Sequence, residues 1–188
     1  MKNKRLIVAI SGASGAIYGI RLLEALQNTD IESHLVISRA GNITIAQETD
    51  YKVSDVRKLA DKVYNIEDIG ATIASGSFAT LGMVVMPCSV KTMSEICTGV
   101  TSNLISRAAD VALKERKRLV LGVREAPFHL GHLRTMTSLS EMGAIIAPPL
   151  PAFYPNPKTV DDIVNHSVGR ILDLFEIEND LVQRWQGL

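Results

Sequence analysis

Cysteine is scarce in this chain, charge of either sign is in no surplus, and no apolar run is long. Among 188 residues there are two cysteines, Cys88 and Cys97, too far apart for a CxxC pair. No Cys/His set has zinc spacing, so no metal is expected, and a reducing, cytoplasmic compartment is the simplest inference. Twenty basic residues balance twenty acidic ones, which leaves no overall field to favour nucleic acid or an anionic membrane. Any anion must therefore be held by a local cluster. No stretch approaches the ~20 apolar residues of a membrane span. The apolar run after the basic start MKNKR is too short for a signal sequence and passes directly into a Gly/Ser turn. Repeats, linkers and low-complexity segments are also missing, which points to one domain over residues 1–188.

What is present is a globular composition, 46% hydrophobic and 21% charged. The mean hydropathy of +0.15 leans apolar, in keeping with some surface being hidden between subunits. Leu6–Ile10 is a continuous apolar run ending at Ser11-Gly12-Ala13-Ser14-Gly15, and continuous runs suit strands buried on both faces of a parallel sheet. Ala16–Gln27 has helical spacing. His34–Ser38 reads as a second strand followed by a polar helix through Thr49, and Ser54 as the cap of a helix over residues 55–63. Met83–Met86 is a third strand that Pro87 stops, opening into a loop with Ser89, Lys91 and Thr92. A helix from Asn103, a strand Leu119–Val123, a helix His129–Met142 and a strand Ala144–Ala147 follow. A proline-rich loop then leads to a last helix capped by Thr159. This alternation predicts an α/β fold with a parallel, doubly wound, Rossmann-like sheet.

Ligands of open α/β sheets bind outside the carboxyl ends of the strands. Here those ends read SGASG, HLVIS, MPCSVKT, GVREAPF and APPLPAFY. The first has the form of a phosphate cradle: glycines for close approach, the Ser14 hydroxyl, and a helix N-terminus behind. It is not GxGxxG, and Ser38 rather than an acid ends the second strand, so a mononucleotide fits better than a dinucleotide. A tight turn without a ligand is the alternative. Ser89, Lys91 and Thr92 form a second hydroxyl-plus-cation loop, or simply a strand end. Arg124 beside Glu125 gives a fixed charge and a candidate acid/base, or else a surface ion pair. Lys114–Arg118 suits a solvated helix end. His129 and His132, three apart, read as a helix face rather than a metal site.

Taken together, Ser11–Ala16, Ala74-Ser75-Gly76-Ser77, Pro87-Cys88-Ser89, Arg107–Val111, Leu113–Arg116, Arg124-Glu125 with Pro127, and Pro151–Tyr154 resemble, in order, the motifs of the flavin prenyltransferase (UbiX-type) family. Some of its members carry the older name phenylacrylic or hydroxyarylic acid decarboxylase. The resemblance covers nearly the whole chain, to Arg184-Trp185. It implies a flavodoxin-like homo-oligomer, typically a dodecamer. Such enzymes transfer a dimethylallyl group from dimethylallyl monophosphate to reduced FMN, and the prenylated FMN goes to a UbiD-type decarboxylase. By position, Gly12, Ala13, Ser14, Ser38, Ser89, Val90, Lys91, Thr92 and Arg124 are expected to hold FMN. Lys114, Arg124, Tyr154 and Arg170 are expected around the isoprenoid phosphate, with Glu125 and Ser14 as the catalytic pair. Some members place a tryptophan before the Ala-Ser-Gly-Ser motif. The aligned Asp68–Thr72 has none, a departure that bears on how the allyl group packs. Two rivals share the fold expectation. An FMN-dependent cysteine-type decarboxylase would show Pro-Ala-Ser-Ala-Asn and Pro-x-Met-Asn where Pro87–Lys91 and Pro149–Ala152 stand. A non-catalytic flavin carrier would have no use for the Lys114, Glu125, Tyr154 and Arg170 set.

Overall fold

A computed structural model describes every residue except Met1, Asn3, Gln186 and Leu188, so both ends of the expected 1–188 domain lie outside the described residues. Six strands form one parallel sheet in the order β3-β2-β1-β4-β5-β6. They are β1 (Lys4–Ile10), β2 (Ile31–Ile37), β3 (Lys62–Tyr64), β4 (Gly82–Cys88), β5 (Arg118–Val123) and β6 (Ile145–Ile146). The helices are α1 (Ala16–Gln27), α2 (Arg39–Glu48), α3 (Val53–Lys58), α4 (Val90–Thr98), α5 (Leu104–Lys114), α6 (Leu130–Glu141) and α7 (Val160–Leu174).

The apolar runs make this sheet because helices cover both of its faces. Leu6, Val8 and Ile10 of β1 point into one core layer with Ile20 and Leu23 of α1 and Val168 and Ile171 of α7. Ile7 and Ala9 point the other way, into a layer with Met93 of α4 and Leu104, Ala108 and Ala112 of α5. Fully burying one such side chain stabilises by about 1.5–3 kcal/mol, so neither layer is dispensable. The expected cap Thr159 and the expected helix start Asn103 both act as side-chain caps. Thr159 accepts from the Asp162 amide at 3.1 Å in a capping box that starts α7. Asn103 does the same for α5 with Ser106.

Four expectations need correction. The sheet has six strands, because β3 is a three-residue edge strand whose Lys62 and Val63 are exposed and give no buried pattern to read. Pro87 does not stop the third apolar run but lies within β4, where the register against β5 shifts between Val85 and Cys88. Irregular pairing is where a strand tolerates a missing amide. The helix expected over residues 55–63 is shorter and earlier, with Lys52 rather than Ser54 at its N-cap and no side-chain cap bond. Residues 90–92 are the first turn of α4 rather than a loop.

From β1 the chain steps outward to β2 and β3, and from β4 it steps the opposite way to β5 and β6. The carboxyl ends of β1 and β4 therefore flank the switch point, where helices diverge and a crevice opens.

Candidate functional site

At this switch point the buried Ser11 joins the two strand ends. Its hydroxyl donates to the Pro87 carbonyl at 2.9 Å and accepts from the Ser89 amide at 2.8 Å. The Ser38 amide in turn donates to the Ile10 carbonyl at 3.0 Å. Ser38 and Ser89 are thereby fixed side by side, each as an N-cap: Ser38 Oγ accepts from Gly41 at 2.9 Å and Ser89 Oγ from Thr92 at 3.3 Å. These caps satisfy one amide per helix and leave the first amides, at Arg39 and Ala40 and at Val90 and Lys91, without an intrahelical acceptor. Both helix starts open on one cleft of about 460 Å³, lined by Gly12, Ser38, Ser89, Lys91, Thr92 and Asn103 among others. Two converging helix N-termini with hydroxyls make an anion site. Gly12 is needed there because a Cβ would overlap that of Ala40 and stand 3.3 Å from the Ala40 backbone.

The turn expected to cradle a phosphate is differently used. Gly15, with φ of +98°, starts α1, and its amide donates to Glu48 Oε2 at 2.7 Å, with the Ala16 amide at 3.4 Å. The anion at the start of α1 is thus the protein's own carboxylate, and the open anion positions belong to α2 and α4. Glu48 escaped the sequence reading because it lies at the far end of α2, with no local pattern linking it to Gly15. Tyr18, also missed, sits one turn into α1; burial raises its pKa, and the nearby Arg124 charge opposes that. Arg124 is pinned by its amide to the Cys88 carbonyl at 3.0 Å. Glu125 next to it is half-buried, its Oε1 accepting from the Ala126 amide at 3.0 Å. Ala13 is buried, and Val90 packs against the α4/α5 core layer, so each can offer a ligand little beyond backbone. Cys88 is fully buried and its thiol is pushed up to about 12, which makes it inert.

The phosphate set does not converge within one chain. Arg170 lines an apolar cleft of about 330 Å³ with Met86, Pro148, Leu150 and His166. Tyr154 packs edge-on against His166, centroids 5.5 Å apart, so these two expected residues share a neighbourhood. Lys114 does not join them. It ends α5, eleven residues or about 16 Å along the helix from the cleft-lining Asn103, and pairs with Glu115 beside Gly76. Lys91 lines the switch-point cleft as expected of a flavin-holding residue, and its ammonium pairs along α4 with Glu95, 2.8 Å away. Among the described residues no group of three or more His, Cys, Asp or Glu could hold a metal, and no helix is long and apolar enough to cross a membrane.

Comparison with known proteins places this geometry. The flavoprotein family model matches residues 1–172. A flavin prenyltransferase UbiX from Escherichia coli K12 is 58% identical over 187 residues, 98% of this chain and 99% of its own. The chain also superposes on AnUbiX (PadA1), crystallised with FMN and dimethylallyl pyrophosphate, with a TM-score of 0.97 and 49% identity, covering 99% of each. A dodecameric FMN-dependent UbiX-like decarboxylase from Escherichia coli O157:H7 gives a TM-score of 0.95 and 50% identity, over 97% of this chain and all of that one.

Proposed function

Because the chain belongs to the flavoprotein family and, within it, to the flavin prenyltransferases, we propose that it joins the dimethylallyl group of dimethylallyl monophosphate to reduced FMN. The observation that carries this reading is the switch-point cleft, where α2 and α4 present their free amides and the hydroxyls of Ser38, Ser89 and Thr92 together. That donor set suits the phosphate of a mononucleotide, and Ser38 rather than an acid follows β2. The flavin stacks from there toward the Ser14, Arg124 and Glu125 turns at the ends of β1 and β5.

Bound reduced flavin would supply the nucleophilic ring nitrogen and the aromatic carbon that closes the fourth ring, that carbon giving up its proton as the allyl double bond takes one up. In the transfer a nitrogen–carbon bond forms as the allylic carbon–oxygen bond breaks, the electron pair leaves on phosphate, and the nitrogen's proton passes to a base. Arg124, Arg170 and Tyr154 stabilise the departing phosphate, and the Ser14 hydroxyl donates to it. Glu125 moves the proton, directly or through the phosphate. Lys114 reaches this site from a neighbouring subunit. Its place at the far end of α5 supports that assignment, as does the likeness to a dodecameric structure. The protein works in the cytoplasm as a homo-oligomer, a dodecamer, and hands prenylated FMN to a UbiD-type decarboxylase. Neither a cysteine-type decarboxylase nor a flavin carrier has an observation in its favour.

The test is anaerobic incubation of reduced FMN with dimethylallyl monophosphate or pyrophosphate, following inorganic phosphate. One phosphate released per flavin consumed, from the monophosphate, is expected. Flavin binding without phosphate release from the monophosphate would overturn the reading. Transfer to a UbiD-type partner is tested by adding its flavin-free form, which should then gain decarboxylase activity.

A further inference from the structure

A cleft that binds a phosphate dianion would be expected to hold an uncompensated cation, and this one does not. Its two basic lining residues are both neutralised, Arg39 by Glu67 at 3.0 Å and Lys91 by Glu95 at 2.8 Å. Glu67 lines the cleft, whereas Glu95 stands behind it, with only 14% of its side chain exposed. Behind the wall Glu95 holds three lining residues at once. Its Oε1 accepts from Lys91 Nζ at 2.8 Å and from Ser102 Oγ at 2.9 Å, and its Oε2 accepts from Asn103 Nδ2 at 3.1 Å. Asn103 is also the N-cap of α5, so one carboxylate couples the charge at the start of α4 to the loop that starts α5. Burial pushes the Glu95 carboxyl up, but the donors from Lys91, Ser102 and Asn103 outweigh it and the net shift is downward. The group therefore stays ionised at neutral pH.

We propose that Glu95 is a positioning residue that masks the charge of Lys91 and so keeps the phosphate end of the cleft electrically neutral. The inference rests on the flavin reading above and adds to it a reason for the neutrality. An enzyme whose flavin is substrate must release the product, and affinity is tuned mostly through release. A phosphate held by amides and hydroxyls can leave; one clamped by a bare ammonium leaves more slowly. Lys91 Nζ in turn helps fix Glu95, which holds Ser102 and Asn103.

The experiment is titration of the whole protein with FMN and with riboflavin, which lacks the phosphate, at low and high potassium chloride. Wild type should bind FMN with little salt dependence. Glu95→Gln keeps the shape and one acceptor oxygen for Ser102 and Lys91 but removes the negative charge that compensates Lys91; its NH2 cannot accept from Asn103 Nδ2, so that contact is given up. It should tighten FMN about two- to five-fold, the scale of an exposed ion pair. It should also make FMN binding salt-sensitive and leave riboflavin unchanged, a selectivity that a merely structural role would not produce. In a Lys91→Met background the same substitution should have no such effect. An equal change for both flavins, no change for either, or steep salt dependence already in the wild type overturns the proposal while the flavin reading stands. Wild-type protein that takes up no FMN overturns both.

Discussion

Replacement of Gly12 by alanine tests how the cleft is built, because the added methyl has nowhere to go. It would overlap the Ala40 Cβ and lie 3.3 Å from the Ala40 carbonyl carbon and Cα. Carbon atoms rest about 3.5–4.0 Å apart, so the start of α2 must retreat by about 1 Å or more. Overpacking of this kind costs about 1–3 kcal/mol of stability. The retreat carries Ser38 and the open amides of Arg39 and Ala40 away from the cleft. Loss of one hydrogen bond to a charged group, about 1.5–3 kcal/mol, corresponds to roughly ten- to a hundred-fold weaker FMN binding. Quenching of flavin fluorescence on titration measures the binding, and thermal unfolding measures the stability. Adding Ala40→Gly removes the Cβ that is struck and leaves only the 3.3 Å backbone contacts, so the double variant should regain most of the lost affinity. FMN binding at wild-type strength in Gly12→Ala, or no rescue by Ala40→Gly, would refute the reasoning.

Three further outcomes follow from the same geometry. Glu125→Gln should retain FMN and dimethylallyl phosphate but slow single-turnover product formation by about 10²–10⁴-fold, the usual range for a lost acid/base; wild-type speed would remove Glu125 from the mechanism. Lys114→Ala alone should be strongly slowed, as should Glu125→Gln. Mixed after dissociation and reassembly, the two should regain part of the activity, since some sites then combine an intact Glu125 with a neighbour's intact Lys114; no recovery would put both groups in one chain. His34 is buried, its Nε2 makes no hydrogen bond and lies 3.5 Å from Glu32 Oε1, and burial lowers its pKa below the usual 6.5 against the opposing Glu32 charge. Its neutral form thus favours the folded state above about pH 6.5, and that contribution is lost as pH falls toward the depressed folded value. Across that acidic window, denaturant titrations should show stability falling with pH less steeply for His34→Gln than for wild type.

Several elements could be read from the chain because their signals are local. The continuous run Leu6–Ile10 and the stripe Ile20, Leu23 announce a strand buried on both faces and its covering helix, and Asn103 and Thr159 mark helix starts by their own side chains. What escaped is longer in range. Glu48 reaches the start of α1 across 33 residues, and no pattern in the chain links it to Gly15. The edge strand β3 has too few buried residues for its period to show. At Ser89 the hydroxyl-plus-cation motif was visible, but whether it was loop or helix depended on the cap bond to Thr92. The convergence of Lys114, Tyr154 and Arg170 on one phosphate is an expectation from three separate segments of a homo-oligomer, which local patterns cannot position. The length of α5 separates Lys114 from the cleft that Asn103 lines, a distance no local pattern in the chain announces.

The central claim is that this chain alkylates flavin, and the mass of the flavin tests it most directly. Protein incubated without oxygen with reduced FMN and dimethylallyl monophosphate is denatured, and the released flavin is analysed by mass spectrometry. The account predicts FMN heavier by one isoprenoid unit, formed only when protein, reduced flavin and the allylic phosphate are all present. Recovery of unmodified FMN from a complete reaction, with both ligands shown to be bound, would contradict it.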